Sequence, residues 1–318
     1  AGAGCSTEGR RAIAVLIAGQ KKRFLMDATL DKVVGVMVGH GYTVHVYLHL
    51  VDNSTGHNFL SVRSKGLSDV RLQNLTRDEL LKVVDSRVRE VGGCLACFSI
   101  GHSSERLPPI PKDPIYKKRM WEYLPSVSEV GRNVLRLWKA REALWNAAQR
   151  AERALKVRYS LAMWTREDQW WFGRILNPTS LLQNKDASQT VWSRDCKTWE
   201  GINDKVVILG REAARVMLTA YTSYWSLQPA LESHHAELYL KKLAMAKGLV
   251  LKELPFARIP GADAMLEENQ QVCVIKTYWC PKEPSPYHPT FCGGGNRTSS
   301  ATAAAAAPAP KPPPQPRR

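Results

Sequence analysis

No apolar run in the 318-residue chain approaches the roughly 18 to 20 residues that span a bilayer. The strictly apolar stretch near the start, Ala12 to Ala18, is far too short, so the chain as given reads as soluble. Blocks of five or six consecutive basic residues are also missing, the densest patch being Lys117, Lys118 and Arg119. Neither a zinc-finger spacing nor an aromatic-basic RNA-binding motif is present, which speaks against a nucleic-acid partner. No internal repeat is evident. The histidines at 234 and 235 do not form a His-Glu-x-x-His metal motif. The start lacks a basic n-region and an apolar h-region, so a targeting segment or membrane anchor is expected upstream of Ala1.

What is present suffices for a folded body. The composition is 44% hydrophobic and 23% charged, enough to bury a core. The net charge is +16, of which the stretch from Gly293 onward carries +4 through Arg297, Lys311, Arg317 and Arg318. That stretch combines Gly, Ala and Pro runs with too few large apolar groups to offset chain entropy, and is expected to be a disordered basic tail, 293–318. A flexible end, 1–10, and one α/β domain, 11–292, make up the rest. The basic excess of that body suits an anionic small molecule in a cleft.

Seven cysteines cannot all pair internally. Cys273, Cys280 and Cys292 lie among prolines, where a disulfide would tie down a loop. A zinc site at Cys94 and Cys97 is the weaker reading, because on a buried strand the two thiols face opposite sides. Sequons stand at Asn53, Asn74 and Asn296, while Pro178 disqualifies Asn177.

The residues predict a β-α-β-α-β opening. Ala12 to Ala18 reads as a strand buried on both faces, Asp27 to Val38 as a helix, and Thr43 to Leu50 as a second strand. Thr76-Arg77-Asp78-Glu79 is a capping-box signature for a helix running to Val91, and Cys94 to Ile100 is a third strand. After a Pro-rich connector, Leu107 to Pro114, the longest helix is expected over Ser126 to Val157. Its stripe is Val127, Val130, Val134, Leu137, Leu144, Ala148, Ala151 and Leu155, broken by Arg141, which must snorkel, pair with a buried acid or hold an anion. Further strands are expected at Tyr159 to Trp164, Val191 to Arg194 and Val206 to Leu209, and helices at Arg211 to Tyr221 and Glu232 to Lys247. Such alternation predicts a mostly parallel sheet flanked by helices, Rossmann-like in class.

Ligands in such sheets sit beyond the carboxyl ends of the strands. Four places follow. Gly19-Gln20-Lys21-Lys22-Arg23 offers backbone N–H groups and cations to phosphates, or is an ordinary solvated turn. Arg166-Glu167-Asp168 offers adjacent carboxylates to a hard divalent cation, or a surface ion pair; the neighbouring Trp164, Trp170, Trp171 and Phe172 look like an exposed aromatic cluster lining a site. Asp204, in the turn from Trp199 to Lys205, is a candidate general base, metal ligand through water or sugar-hydroxyl acceptor, against a plain Asn-Asp turn. Glu237 is the fourth, against an i,i+4 pair with Lys241.

The order of these landmarks resembles a glycosyltransferase-like family of algae and fungi with the A-type nucleotide-sugar transferase fold. The likeness is carried by the opening strand Ala12 to Gln20 with Arg23-Phe24, the block Trp138 to Trp145, Glu152, Tyr159 to Asp168, and Gly201 to Lys205 leading to Gly210-Arg211-Glu212-Ala213-Ala214. It spans about residues 11 to 281. The resemblance implies that Gly19, Gln20 and Arg23 bind the nucleotide of a nucleotide-sugar donor. It implies that Arg141, Arg166 and Glu167 lie at the diphosphate, and that Asp168 ligates a manganese or magnesium ion. Here the first acid of the usual Asp-x-Asp is Arg166, and Trp164 stands where relatives carry another arginine, so arginines holding the phosphates without a metal are the alternative. Asn203 would contact a glycan or glycoprotein acceptor, Asp204 would deprotonate or orient its hydroxyl, and Glu237 would border it. The family also implies a Golgi or secretory lumen. A non-catalytic, carbohydrate-binding relative of the same fold stays open, as does a nucleoside-cofactor methyltransferase, which the missing Gly-x-Gly loop after Ala18 disfavours.

Overall fold

A computed structural model describes residues 11–52, 70–102, 128–226, 233, 235–266, 272–274, 279–280, 287 and 289–291. The connector 107–114, the patch 117–119, Val127, Glu232, the sequons at Asn53 and Asn296, Cys5, Cys292 and both chain ends lie outside the described residues.

The first strand, β1 (Ala12–Gln20), is apolar through Ala18 because it is covered on both sides. Side chains alternate across a strand. Ala12, Ala14, Leu16 and Ala18 join Trp138 and Trp145 in one cluster. Ile13, Val15 and Ile17 join Leu30, Val33, Met37, Leu80, Val84 and Val88 in the other. Each fully buried aliphatic side chain of this kind is worth about 2 kcal/mol over its exposed state. A one-residue slip would exchange the faces, so the register is strongly held.

Around β1 stand β2 (Thr43–Asp52), β3 (Cys94–His102), β4 (Tyr159–Arg166), β6 (Thr190–Arg194), β7 (Val206–Gly210) and β8 (Val250–Leu254), in the order β3-β2-β1-β4-β7-β6-β8. Only β7 is reversed, pairing antiparallel with β4 and β6. The sheet is therefore mostly parallel, as expected. The ends of β1, β4 and β6 and the start of β7 share one edge. The short strand β5 (Gln169–Trp171) leaves β4 to join β9 (Gly261–Leu266) and β10 (Val272–Val274) in a small antiparallel sheet.

The helices cover both faces. A helical stretch over 26–39, here α1, contains a π-helical turn at Leu30–Val34. α2 (Arg77–Glu90) starts in the expected capping box: the Glu79 N–H donates to Thr76 Oγ1 at 3.4 Å and the Thr76 N–H to Glu79 Oε2 at 2.8 Å. The long helix α3 (Ser128–Leu155) buries a face displaced from the expected stripe. Leu135, Trp138, Leu144, Trp145 and Ala148 are buried, Val134, Leu137 and Ala151 only half-buried, and Leu155 is 39% exposed. Two tryptophans carry more apolar area than the aliphatic line beside them, and they set the rotation of the helix.

The expected helix Arg211 to Tyr221 is two, α4 (Arg211–Met217) and α5 (Ala220–Trp225). Thr219 Oγ1 donates back to the carbonyls of Val216 at 3.0 Å and Arg215 at 3.2 Å, competing with the helical pattern. The last helix is α6 (Ala236–Ala246). Among the described residues no helix is long and apolar enough to cross a membrane. Cys196 bonds to Cys280, so the Pro-rich segment is tied outward to a turn 84 residues earlier. Cys94 and Cys273 are also disulfide-bonded, and Cys97 is a free thiol.

A polar network is buried under α3. Tyr159 Oη lies 2.5 Å from His45 Nδ1 and 2.6 Å from Tyr47 Oη, and the Tyr159 N–H donates to Glu152 Oε1 at 2.7 Å. Burial pushes the Tyr47 hydroxyl up to about 12 and the His45 imidazole below its usual value. Folding thus favours neutral His45. Its contribution to stability is complete above the unfolded value near about 6.5 and is lost as the pH falls through the lower folded value. Denaturant unfolding is expected to show stability falling with pH in that acidic window, and His45→Gln, which keeps an acceptor for Tyr159, is expected to remove this component. Identical pH profiles for the two proteins would contradict it.

Candidate functional site

Strand register brings the expected residues to one edge. Ala18 pairs with Arg166, and Thr165 with Val206, so the Gly19 turn, Arg166 and the turn before β7 become neighbours. The Arg166 N–H donates to the Lys205 carbonyl at 3.0 Å, and the Leu25 N–H to the Glu167 carbonyl at 2.9 Å. The bend from β4 into β5 then sets Gln169 opposite Asp263 of β9.

Asp168 is held by guanidinium groups. Arg166 donates Nε and Nη2 to its two carboxylate oxygens at 3.0 and 2.9 Å, and Arg23 pairs with it as well. Arg23 Nε also stands 3.9 Å from Glu167 Oε1. The Glu167 carboxylate rests directly over Gly19: a Cβ there would come within 1.7 Å of Glu167 Oε2. Gln20 is half-buried beside this contact, while Lys21 donates to the Leu75 carbonyl at 2.6 Å and pairs with Asp52 at 3.7 Å. The turn read as a phosphate cradle is thus already engaged with protein groups.

A second knot lies beside the first. Lys205 pairs with Asp263, whose Oδ1 also accepts from Gln169 Nε2 at 2.9 Å. Arg194 donates to the Gly261 carbonyl and, at 3.3 Å, to Asn203 Oδ1. Asn203 is a buried turn-former: its Nδ2 donates to the Cys196 carbonyl at 2.8 Å and its Oδ1 accepts from the Lys205 N–H at 3.2 Å. Burial alone would raise the Asp263 carboxyl, but Lys205 and Arg166 hold it well below the carboxylate range. Burial pushes Arg194 down to about 10. Arg166 loses solvation too, yet Asp263, Glu167, Asp204 and Glu237 around it outweigh that and raise its pKa.

Arg141 answers the break in the α3 stripe. It lies over the Trp164 ring, 4.6 Å from its centroid, donates Nη2 to the Asp204 carbonyl at 3.1 Å, and has Nη1 3.9 Å from Asp204 Oδ2. Trp164 Nε1 donates to the same carbonyl at 2.7 Å. Arg141 is 2% exposed, and its Nε and Nη1 have no hydrogen-bond partner among the described residues. Burial pushes it down to about 10, opposed by Asp204. Glu237 sits in the first turn of α6 with Oε2 3.2 Å from His235 Nδ1, while Lys241 reaches the Glu200 carbonyl instead of Glu237.

Two features differ from the expectations. The aromatic cluster is not an exposed patch: Trp164 and Trp171 are buried in opposite core clusters, and Trp170 and Phe172 pack against a third. Alternation along β4 and β5 sends the rings apart. The basic excess read as a cleft for an anionic small molecule meets the protein's own acids at this edge, because charge this buried must be paired. Asp168, the expected metal ligand, is engaged by two guanidinium groups, and among the described residues no group of three His, Cys, Asp or Glu side chains converges. Asp263, Lys205 and Arg194 are the residues that the sequence did not single out. Asp263 lies on a short strand with no periodic signal, and alternation with Ala262 and Ala264 would set it on a polar outer face, whereas all three are buried.

No protein-family model matches the chain, and no curated protein does either. Solved structures show distant likeness. The glycosyltransferase GlyE of Streptococcus pneumoniae is 13% identical, with a TM-score of 0.35, over 78% of this chain and 46% of GlyE. Mouse xyloside xylosyltransferase 1 is 9% identical, with a TM-score of 0.33, over 77% of this chain and 86% of that one. The bifunctional glycosyltransferase WbbM is 9% identical, with a TM-score of 0.31, over 78% and 39%. The chain spans less than half the length of GlyE and of WbbM.

Removing one member of a buried pair costs more than removing both. Lys205→Met is expected to lose about 3 kcal/mol of unfolding free energy, and Lys205→Met with Asp263→Asn to regain most of it. Equal losses in the single and double variants, measured by denaturant unfolding, would show that the pair is not the knot described.

Proposed function

We propose that the chain is a glycosyltransferase that moves a sugar from a nucleotide-sugar donor to a glycan or glycoprotein acceptor. The observation that carries this reading is Arg141. A buried guanidinium whose Nε and Nη1 have no hydrogen-bond partner among the described residues, set beside a carboxylate at the carboxyl edge of a mostly parallel sheet, is a donor array for a developing diphosphate. Arg166 and Arg23 add positive charge on the Gly19 side. In this reading they stand where a divalent cation would otherwise neutralise the leaving group.

Asp204 is the general base. Its carboxylate is 13% exposed against 7% for Asp168 and 9% for Asp263, and its ion pair with Arg141 is long at 3.9 Å, which leaves it the freer to take a proton from an acceptor hydroxyl. That proton passes to Asp204 while the hydroxyl oxygen bonds the anomeric carbon. The bond from that carbon to the diphosphate breaks, and the released anion takes the bonding pair to the guanidinium side. Glu237 borders the acceptor and adds to the field around Arg166. The disulfides support a secretory or Golgi lumen, because such bonds persist in oxidising compartments.

A second reading rests on Glu167. With its carboxylate filling the space over Gly19, the chain would be a carbohydrate-binding relative without donor turnover.

Purified protein incubated with a panel of sugar nucleotides separates the two. Nucleoside diphosphate release is expected from at least one donor, and is expected to persist in a chelator. Asp204→Asn should slow transfer by about a hundredfold and Arg141→Met by a similar factor, with folding unchanged by circular dichroism. No release from any donor would overturn the transferase reading in favour of the binding one.

A further inference from the structure

Lys197, Trp199 and Glu200 have φ angles of 53°, 49° and 64°, a left-handed conformation that residues with a Cβ adopt at a cost. Lys156, which also has a positive φ, follows the end of α3, where such a residue is ordinary. Three within four residues of a turn is different. The backbone is held there from several sides. The disulfide Cys196–Cys280 fixes the entry, and Asn203 Nδ2 binds the Cys196 carbonyl at 2.8 Å. The Gly201 N–H donates to the Thr198 carbonyl at 2.8 Å, and Lys241 Nζ to the Glu200 carbonyl at 2.9 Å. Gly201 presses on the first turn of α6 so closely that a Cβ would come within 2.0 Å of the Glu237 carbonyl carbon.

This braced turn displays an indole to water. Trp199 is 57% exposed, whereas Trp138, Trp145, Trp164, Trp171, Trp192 and Trp279 are buried. Strained backbone that the surroundings over-determine is a mark of function, and here it carries an exposed ring. Among the described residues the other large exposed apolar side chains, Leu81, Val83, Leu155 and Met245, lie on α2, α3 and α6, so on its turn Trp199 is a single exposed ring. One flat ring is too little for a protein partner, which buries about 800 Å² on each side, and is the size of one sugar.

We infer that Trp199 is the stacking platform for the acceptor: its face meets the C–H face of a pyranose ring, with Lys197 and Glu200 beside it for hydroxyl groups. The same turn ends in Asp204, which puts the platform on the segment that carries the proposed base. Rigid bracing means that the backbone bearing the ring has lost its freedom before the ligand arrives, which favours binding. This inference rests on the glycosyl-transfer reading for the word acceptor.

The test uses the full chain on an array of neutral oligosaccharides, comparing wild type, Trp199→Ala and Trp199→Phe, with thermal melting as the check on folding. Wild type is expected to bind a subset of the glycans, Trp199→Phe to keep most of that affinity, and Trp199→Ala to lose about tenfold. Equal binding by wild type and Trp199→Ala, or no glycan bound by wild type, overturns the platform. Donor hydrolysis by wild type without acceptor, run in parallel, reports on the transfer reading alone. Hydrolysis with glycan binding indifferent to Trp199 leaves the transferase and removes the platform. Trp199-dependent binding without hydrolysis keeps the platform and removes the transferase.

Discussion

A carboxylate taken out of water has to find a cation, and at the carboxyl edge of this sheet the Asp263 carboxylate sets the terms. Lys205 meets it from the turn before β7, Gln169 from β5, and the field of Arg166 from the end of β4. None of these residues is near Asp263 in sequence. For the pair to form, β9 must lie beside β5, the 195–205 turn must close over the edge, and β4 must hold its register against β1. Arg194 ties the same pieces again through Gly261 and Asn203. The edge is thus built as a single electrostatic unit in which each element needs the others.

This unit explains why the site looks as it does. The cations that a basic composition promised are present, but Asp168, Glu167 and Asp263 have claimed most of their donors. Arg141, buried against Trp164, keeps two nitrogens without a hydrogen-bond partner among the described residues, and Asp204 beside it is somewhat more exposed than Asp168 and Asp263. Preorganised charge in a low-dielectric setting is the kind of environment in which charge moving between an acceptor hydroxyl and a diphosphate is stabilised. The frame also carries the strained 197–200 turn, because Asn203 braces that turn from within the same hydrogen-bonded set.

Much of the architecture was legible. The double-sided burial of β1, the capping box at Thr76, the strands at the starts of the two halves and the parallel layout all rest on local patterns. The departures have local causes as well. In α3 the aliphatic line was followed although Trp138 and Trp145 carry the larger apolar area, and Thr219 broke a helix by bonding its own backbone. The tryptophans at 164 and 171 sit on consecutive strands whose alternation parts them, so they serve two cores instead of lining one site. The short strands β5, β9 and β10 carry too few residues for a period to show.

The sequence by itself determined the class of fold, because strand alternation, helix capping and apolar spacing act between near neighbours and leave a mark wherever they operate, and that class directs attention to the carboxyl edge of the sheet. Gly19, Arg141, Arg166 and Asp204 could be nominated on that basis. Only the tertiary structure decided which charge meets which. Arg23 with Asp168, Arg141 with Asp204 and Lys205 with Asp263 are partners fixed by strand register and by the path of one turn. The sign of a charge is written in the sequence, but whether it faces a ligand or a neighbour depends on distance, and distance between remote residues exists only once the chain has folded.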